Sequence, residues 1–239
     1  MLHTPPEQAV IDAAERIMID TMARYDPSHD AYHVQRVRNT ALTIAMNVPT
    51  QPDLLVIELA ALLHDVLDRK YVSVEQAADP YKFFLPFFES MAYLHGIDLV
   101  KDGRGRFVAQ IIDNVSWSTE KNLKEKGLWT EWHKECVELH CVQDADRLDA
   151  IGAFGILRCA AYTTTTNQPL YAPAGDPKQP QSAIQHFHDK LILIRDRLKT
   201  EYGKRLATKR HQLLLDFITA VDEEYNVFDS HSSEFSQGS

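Results

Sequence analysis

Three short stretches carry the residues that could do chemistry: SHDAYHVQRV at 28–37, LLHDVLDRKY at 62–71 and VQDADRLDAIG at 142–152. In the second, His64 and Asp65 follow the apolar run Ala60–Ala61–Leu62–Leu63. Burying an imidazole beside a carboxylate is costly unless the pair is hydrogen-bonded or meets a cation. The third stretch repeats the problem. Asp144, Asp146 and Asp149 sit among Val142, Ala145, Leu148 and Ile151, on what reads as an apolar helix. The first offers His33, with Arg36 and Val37 three and four residues later on the same helix face. Imidazoles and carboxylates together make a mixed nitrogen–oxygen donor set. It suits Mn, Fe, Co, Ni or Zn without selecting among them, and such an ion activates water near neutral pH.

Around these ligand candidates stand groups suited to proton transfer and phosphate. Asp68 lies one turn beyond His64 and Asp65 if the helix continues, beside the ion without ligating it, where an acid–base group is needed. Arg36, Lys70 and Arg147 bring positive charge that fits a phosphate better than a neutral substrate. His29 is either a surface residue at a helix entry, with Ser28 or Asp30 capping, or a substrate contact one turn before His33. Lys121 reaches either phosphate or solvent. Asp144 is expected to hold a neighbouring helix or orient a histidine, and Arg158 to pair with one of the aspartates. IIDNVSWS at 111–118 is expected to form part of a pocket floor, with Trp117 filling the core. The Phe83, Phe84, Phe87 and Phe88 group reads as packing, with an oligomer contact as the alternative.

The elements that position these residues are helical. Apolar stripes mark residues 6–24, through Val10, Ala14, Ile17 and Thr21, and residues 31–48, through Val34, Val37, Ala41, Ile44, Ala45 and Val48. Asp53 caps a helix through about residue 66, Pro80 opens another, and Pro86 reads as a kink or restart. Further helices are expected at 106–115, 131–151 with Thr130 as cap, 152–162, 183–202 and 204–225. A Pro- and Thr-rich loop fills 163–181. No alternating strand pattern and no repeat is present, so the class is all-α. One domain over 1–226 is expected, with a polar, mobile tail at 227–239.

Composition narrows the partners. The 239 residues carry a net charge of -9 without a long basic run, which disfavours duplex nucleic acid. Three cysteines without a CxxC argue against a disulfide framework and for a reducing, cytoplasmic setting. No secretory signal and no apolar run long enough for a bilayer is read, so no membrane partner is expected; a homo-oligomer remains open.

The order His33, then His64–Asp65, then Asp146 in DADRLD resembles the HD superfamily of metal-dependent phosphohydrolases. It is closest to the bacterial and fungal HD hydrolases related to nucleotide pyrophosphohydrolases, over about residues 28 to 222. The resemblance implies a single HD-domain helical bundle. It implies one divalent metal on His33, His64, Asp65 and Asp146, manganese first and Co, Ni, Fe, Zn or Mg as alternatives. Asp68 matches the acid that related nucleotidases use in water activation, although they carry Glu there, and Arg147 matches a basic position facing phosphate. Asp149 resembles a helix-end group. The implied reaction is pyrophosphate release from a (deoxy)nucleoside triphosphate. The alternatives are a 5′-nucleotidase or other phosphomonoesterase on the same site, a di-iron oxygenase, for which only His29 and His95 are spare ligands, and a non-catalytic ligand-binding protein.

Overall fold

Helix boundaries follow local chemistry from the first element onward. In the computed structural model, which describes residues 2–68 and 71–226, Thr4 and Glu7 cap each other's backbone N–H groups and Pro5 opens helix α1, Pro5–Met22. Lys70 and the expected tail at 227–239 lie outside the described residues. Asp30 accepts the His33 N–H and starts α2, Ala31–Ala45; Asp53 accepts from Leu55 and Val56 and starts α3, Leu54–Leu63. There follow α4 Val74–Ala77, α5 Pro80–His95, α6 Arg104–Asn114, α7 Trp117–Glu125, α8 Glu131–Glu135, α9 Val137–Asp149, α10 Gly152–Thr165, α11 Ala183–Asp189 and α12 Glu201–Tyr225. No strand occurs among the described residues, in keeping with the all-α expectation.

The centre of the fold is α3. Every residue from Leu55 to Leu63 is buried, because α1, α2, α6 and α9 all pack on it. One charged group goes in with them: Glu58, held by Arg38 at 2.5 Å and by His3 at 2.5 Å. The buried stripe of α1 is Val10, Ile11, Ala14, Met18 and Met22, displaced from the expected one, with Ile17 and Thr21 only half-buried. On α2 the expected stripe from Val34 to Ala45 is buried. Phe84 and Phe88 are core residues, while Phe83 is exposed.

Four expectations about elements fail for identifiable reasons. Helix α3 stops at Leu63 instead of running to 66. The His64 Nδ1 takes the Ala61 carbonyl at 2.8 Å, the acceptor that a continuing helix would give to the Asp65 N–H. The chain then tightens through i-to-i+3 bonds, Val66 to Leu63 and Asp68 to Asp65, so Asp68 lies beyond a turn and not on a helix. The segment 131–151 breaks at Cys136, whose ψ of 102° is extended, into α8 and α9. Residues 183–202 are helical only to Asp189; 3-10 turns at Leu191–Leu193 and Arg195–Arg197 follow. Pro86 does not restart α5, which runs through it from Pro80 to His95. Its missing N–H costs one backbone bond, and burial of Phe84, Phe88 and Met91 holds the helix together. Helix α7 arises where only a pocket floor was expected, with Ser116 as its cap.

Two polar clusters join the later helices to the core. Asp144 caps α12 from α9, accepting from the Lys199 N–H, the Thr200 N–H at 2.7 Å and the Thr200 hydroxyl at 2.7 Å, which is the helix-holding role expected of it. Glu120 of α7 accepts from Arg147 Nη2 at 2.6 Å, Lys124 at 2.6 Å and Lys199 at 2.9 Å. Burial would raise the Glu120 carboxyl, but these cations hold it down at about 2, against an ordinary 4.5.

Both clusters yield tests. A Cβ at Gly203 would stand 2.7 Å from the Asp144 Oδ2 and 2.8 Å from the Thr200 hydroxyl, atoms pinned by their own bonds. Gly203→Ala should lose about 1–3 kcal/mol in denaturant unfolding, the cost of overpacking. An unchanged midpoint would mean the α9–α12 contact is loose. For Glu120 the folded group is more acidic than the unfolded one. Its stabilisation is therefore complete above pH 4.5 and is lost as pH falls toward about 2. Glu120→Gln should flatten the stability curve in that acid window and cost about 3 kcal/mol near neutrality, as for a broken buried ion pair.

Candidate metal centre and cavity

The site begins with two imidazoles whose orientation is set by their far nitrogens. His33, in the first turn of α2, is fully buried and donates Nδ1–H to the Asp149 Oδ2 at 2.7 Å. His64, at the end of α3, donates Nδ1–H to Ala61 O. In each ring the Nε2 is left as the lone-pair atom, and both Nε2 atoms are buried with no hydrogen-bond partner. The rings meet edge to face at 5.5 Å.

Two carboxylates converge on those lone pairs. Asp65 Oδ2 is 3.3 Å from the His33 Nε2 and Asp65 Oδ1 is 3.4 Å from the His64 Nε2. Asp146 Oδ1, from the last turn of α9, is 3.7 Å and 3.9 Å from the same two atoms. Ligand atoms of His33, His64 and Asp146 lie within 4.8 Å of one another, so this group could hold a metal ion. Asp65 completes the ring of donors against both imidazoles. Four electron-rich groups facing one point repel unless a cation stands among them, and two orphaned buried nitrogens point there; a divalent ion fits. The field of the site has the same sense. Burial would lower the His33 pKa, yet Asp149 and Asp65 raise it above its ordinary value.

Asp149 carries more than a helix end. Its carboxylate takes the His33 ring, a bidentate Arg36 at 2.8 and 3.0 Å, and Arg158 at 3.3 Å, in line with the pairing expected of Arg158. Burial would raise this carboxyl, but His33 and Arg36 hold it well below the usual carboxylate range. Arg36, expected near phosphate, is therefore placed on the far side of His33, where its guanidinium also stacks 4.0 Å from the centre of the Phe154 ring.

Beside the centre opens a cavity of about 630 Å³, lined by His29, His64, Asp65, Asp68, Trp117, Asp146, Arg147 and Arg158, among others. Asp68 reaches it from the turn after α3, with His29 Nε2 at 3.9 Å from its Oδ2. His29 stands at the entry to α2, which Asp30 caps as expected, but it is half-buried and lines the cavity. Its Nδ1 lies 2.7 Å from the Ser28 Oγ, and Ser28 is fixed by Asp26, which also receives the Tyr71 hydroxyl. Sequence reasoning missed Tyr71, Asp26 and Lys190, another lining residue. The first two join through a contact 45 residues apart, which leaves no periodic signal. Residues 112, 113 and 116–118 line the cavity, as expected for the 111–118 stretch, but Trp117 is half-buried at the cavity edge instead of filling the core. Lys121 does not line it; that side chain faces a neighbouring cavity. The 163–181 loop contributes none of the lining. A third cavity of about 640 Å³, between His3, Arg38 and Glu58, contains none of these residues. Among the described residues no helix is long and apolar enough to cross a membrane.

Comparison with known proteins agrees with this geometry. Residues 30–151 match the HD domain family model, a span that holds both imidazoles and every acid of the centre. The chain is 33% identical to YpgQ of Bacillus subtilis over 210 residues, covering 86% of this chain and 88% of that protein. The YpgQ structure, determined in complex with ADP, superposes with a TM-score of 0.66 at 27% identity, over 92% of this chain and 96% of that one. An HD-superfamily hydrolase from Bacillus thuringiensis aligns with a TM-score of 0.66 at 28% identity, over 92% and 98% of the two chains. With the donors, the helical frame and the relatives in agreement, the chain belongs to the HD-domain family of metal-dependent phosphohydrolases and is a hydrolase.

Proposed function

We propose that the chain hydrolyses nucleotides, releasing pyrophosphate from a (deoxy)nucleoside triphosphate. The observation that carries the reading is the meeting of two orphaned Nε2 atoms and two carboxylates at the wall of a cavity that also presents Arg147 and Arg158. The ADP complex of YpgQ supports a nucleotide as ligand. His33, His64, Asp65 and Asp146 would hold one divalent ion, manganese being the first to test. When bound, that ion lowers the pKa of water and neutralises phosphate oxygen.

The chain's own residues supply the rest. Asp68 lines the cavity, where its carboxylate would accept a proton from an attacking water, and His29 lies close enough to steady its charge. Arg147 and Arg158 face the cavity as cations for the phosphates, although both also have protein partners, Glu120 and the Ser28 carbonyl. Arg36 acts on the ion indirectly, by holding Asp149 against His33. Lys121 serves this substrate only if the phosphates extend past Trp117.

Three measurements test this. A panel of nucleoside mono-, di- and triphosphates with Mn, Co and Mg should show pyrophosphate release from triphosphates. Phosphate release from monophosphates alone would replace the reading with a 5′-nucleotidase. Asp68→Asn should keep the metal and the substrate while turnover falls about 10²- to 10⁴-fold, the worth of a positioned acid–base group. Loss of the metal in that variant would make Asp68 a ligand. Arg36→Ala should lower metal occupancy and cost about 2 kcal/mol of stability, the scale of hydrogen bonds to a charged group. A rise in KM with metal and stability intact would return Arg36 to phosphate binding.

A further inference from the structure

Across Trp117 from the metal centre lies a second cavity, of about 400 Å³, with an unbalanced charge. Its inner wall is built around Glu120, only 6% exposed, which receives Arg147, Lys124 and Lys199. A fourth cation, Arg197, stacks on the Trp117 ring with its guanidinium carbon 3.3 Å from the ring centre. Arg147 stands 5.7 Å from the same ring. Among the described residues Arg197 has no carboxylate partner. One buried carboxylate thus faces four cations, in a chain whose net charge is -9. The other acids of this cavity are exposed and peripheral: Glu125 is paired with Lys121 at 3.8 Å, and Asp196 stands at the rim.

Packing like charges at a half-buried wall is unfavourable, and it raises the local potential felt by an anion. The groups register that strain: burial and Arg147 push Lys199 down to about 8 and lower Arg197 as well. A planar guanidinium set over an indole, with no acid taking its donors, is suited to a phosphate group.

We propose that this cavity is an anion site for a phosphate or polyphosphate group, separate from the metal centre and back to back with it across Trp117. The lining sets Lys121, Lys124, Arg197 and Lys199 against Glu120, Glu125 and Asp196, a surplus of one positive charge, to which Arg147 adds from behind Glu120. None of the cavity's residues is a candidate metal ligand, so the site does not depend on which reaction the centre performs.

The test uses full-length protein stripped of metal with a chelator and titrated with pyrophosphate, followed by calorimetry and by tryptophan fluorescence. Wild type should bind with a fluorescence change, and Arg197→Met, which keeps the length and the stacking but not the charge, should weaken binding about tenfold or more. Arg197→Lys, with charge but no planar fork, should fall between them and guards against misfolding of the first variant. His64→Asn should leave binding unchanged. No binding by wild type, equal affinity in Arg197→Met, or loss in His64→Asn would overturn the proposal. ADP added to the pyrophosphate-bound protein separates the two sources of the anion. Displacement marks the site as the seat of a nucleotide's phosphate tail, co-binding marks it as a site for a free anion, and both support it.

Discussion

The carboxylate of Asp149 is the contact on which the site is built. It is buried at the end of α9 and would be costly there alone, but three donors from two other helices satisfy it: His33 and Arg36 from α2 and Arg158 from α10. The bond to His33 decides which imidazole nitrogen carries the proton and so aims the other inward. The bidentate bond to Arg36 keeps Asp149 from rotating away. Arg158 passes the constraint on to the carbonyl of Ser28, whose neighbour His29 reaches the cavity. One carboxylate thereby couples three helices to the direction of a single lone pair.

Helix α9 distributes four such tasks around its circumference. Successive residues of a helix are turned by about 100°, so neighbours in sequence face different parts of the protein. Asp144 turns to α12 and caps it, while Asp146 turns to the two imidazoles. Arg147 turns to Glu120 on α7, and Asp149 to His33 and Arg36. The acidic centre and the basic cluster therefore lie side by side, because Asp146 and Arg147 are adjacent on one rigid element. Trp117 stands where the two meet, with a cavity on each side.

The turn after α3 shows how a local competition shapes the chemistry. Had the helix continued, Asp68 would have followed His64 and Asp65 on a regular face. The His64 ring instead takes the Ala61 carbonyl, which ends the helix and frees the following residues to wrap the cavity. The same bond orients the His64 Nε2. Termination of the helix and preparation of a donor are one event.

The types and spacing of residues by themselves determined a great deal here. The apolar periodicity required helices, and the strings containing His33, His64–Asp65 and Asp146 marked the donors. Each is a local pattern: a buried ionisable group within a hydrophobic stripe is legible because its cost is local. What only the tertiary structure decided are the pairings between distant elements. His33 and Asp149 are 116 residues apart, and Arg36 meets Asp149 across 113. Spacing on α2 showed that Arg36 shares a face with His33, but not whether a ligand or a carboxylate waits there. Glu120 sits in a polar stretch with no periodic mark, so nothing local announces the cations gathered on it. Periodicity assigns a side chain to a face of its own helix; packing alone chooses what that face meets.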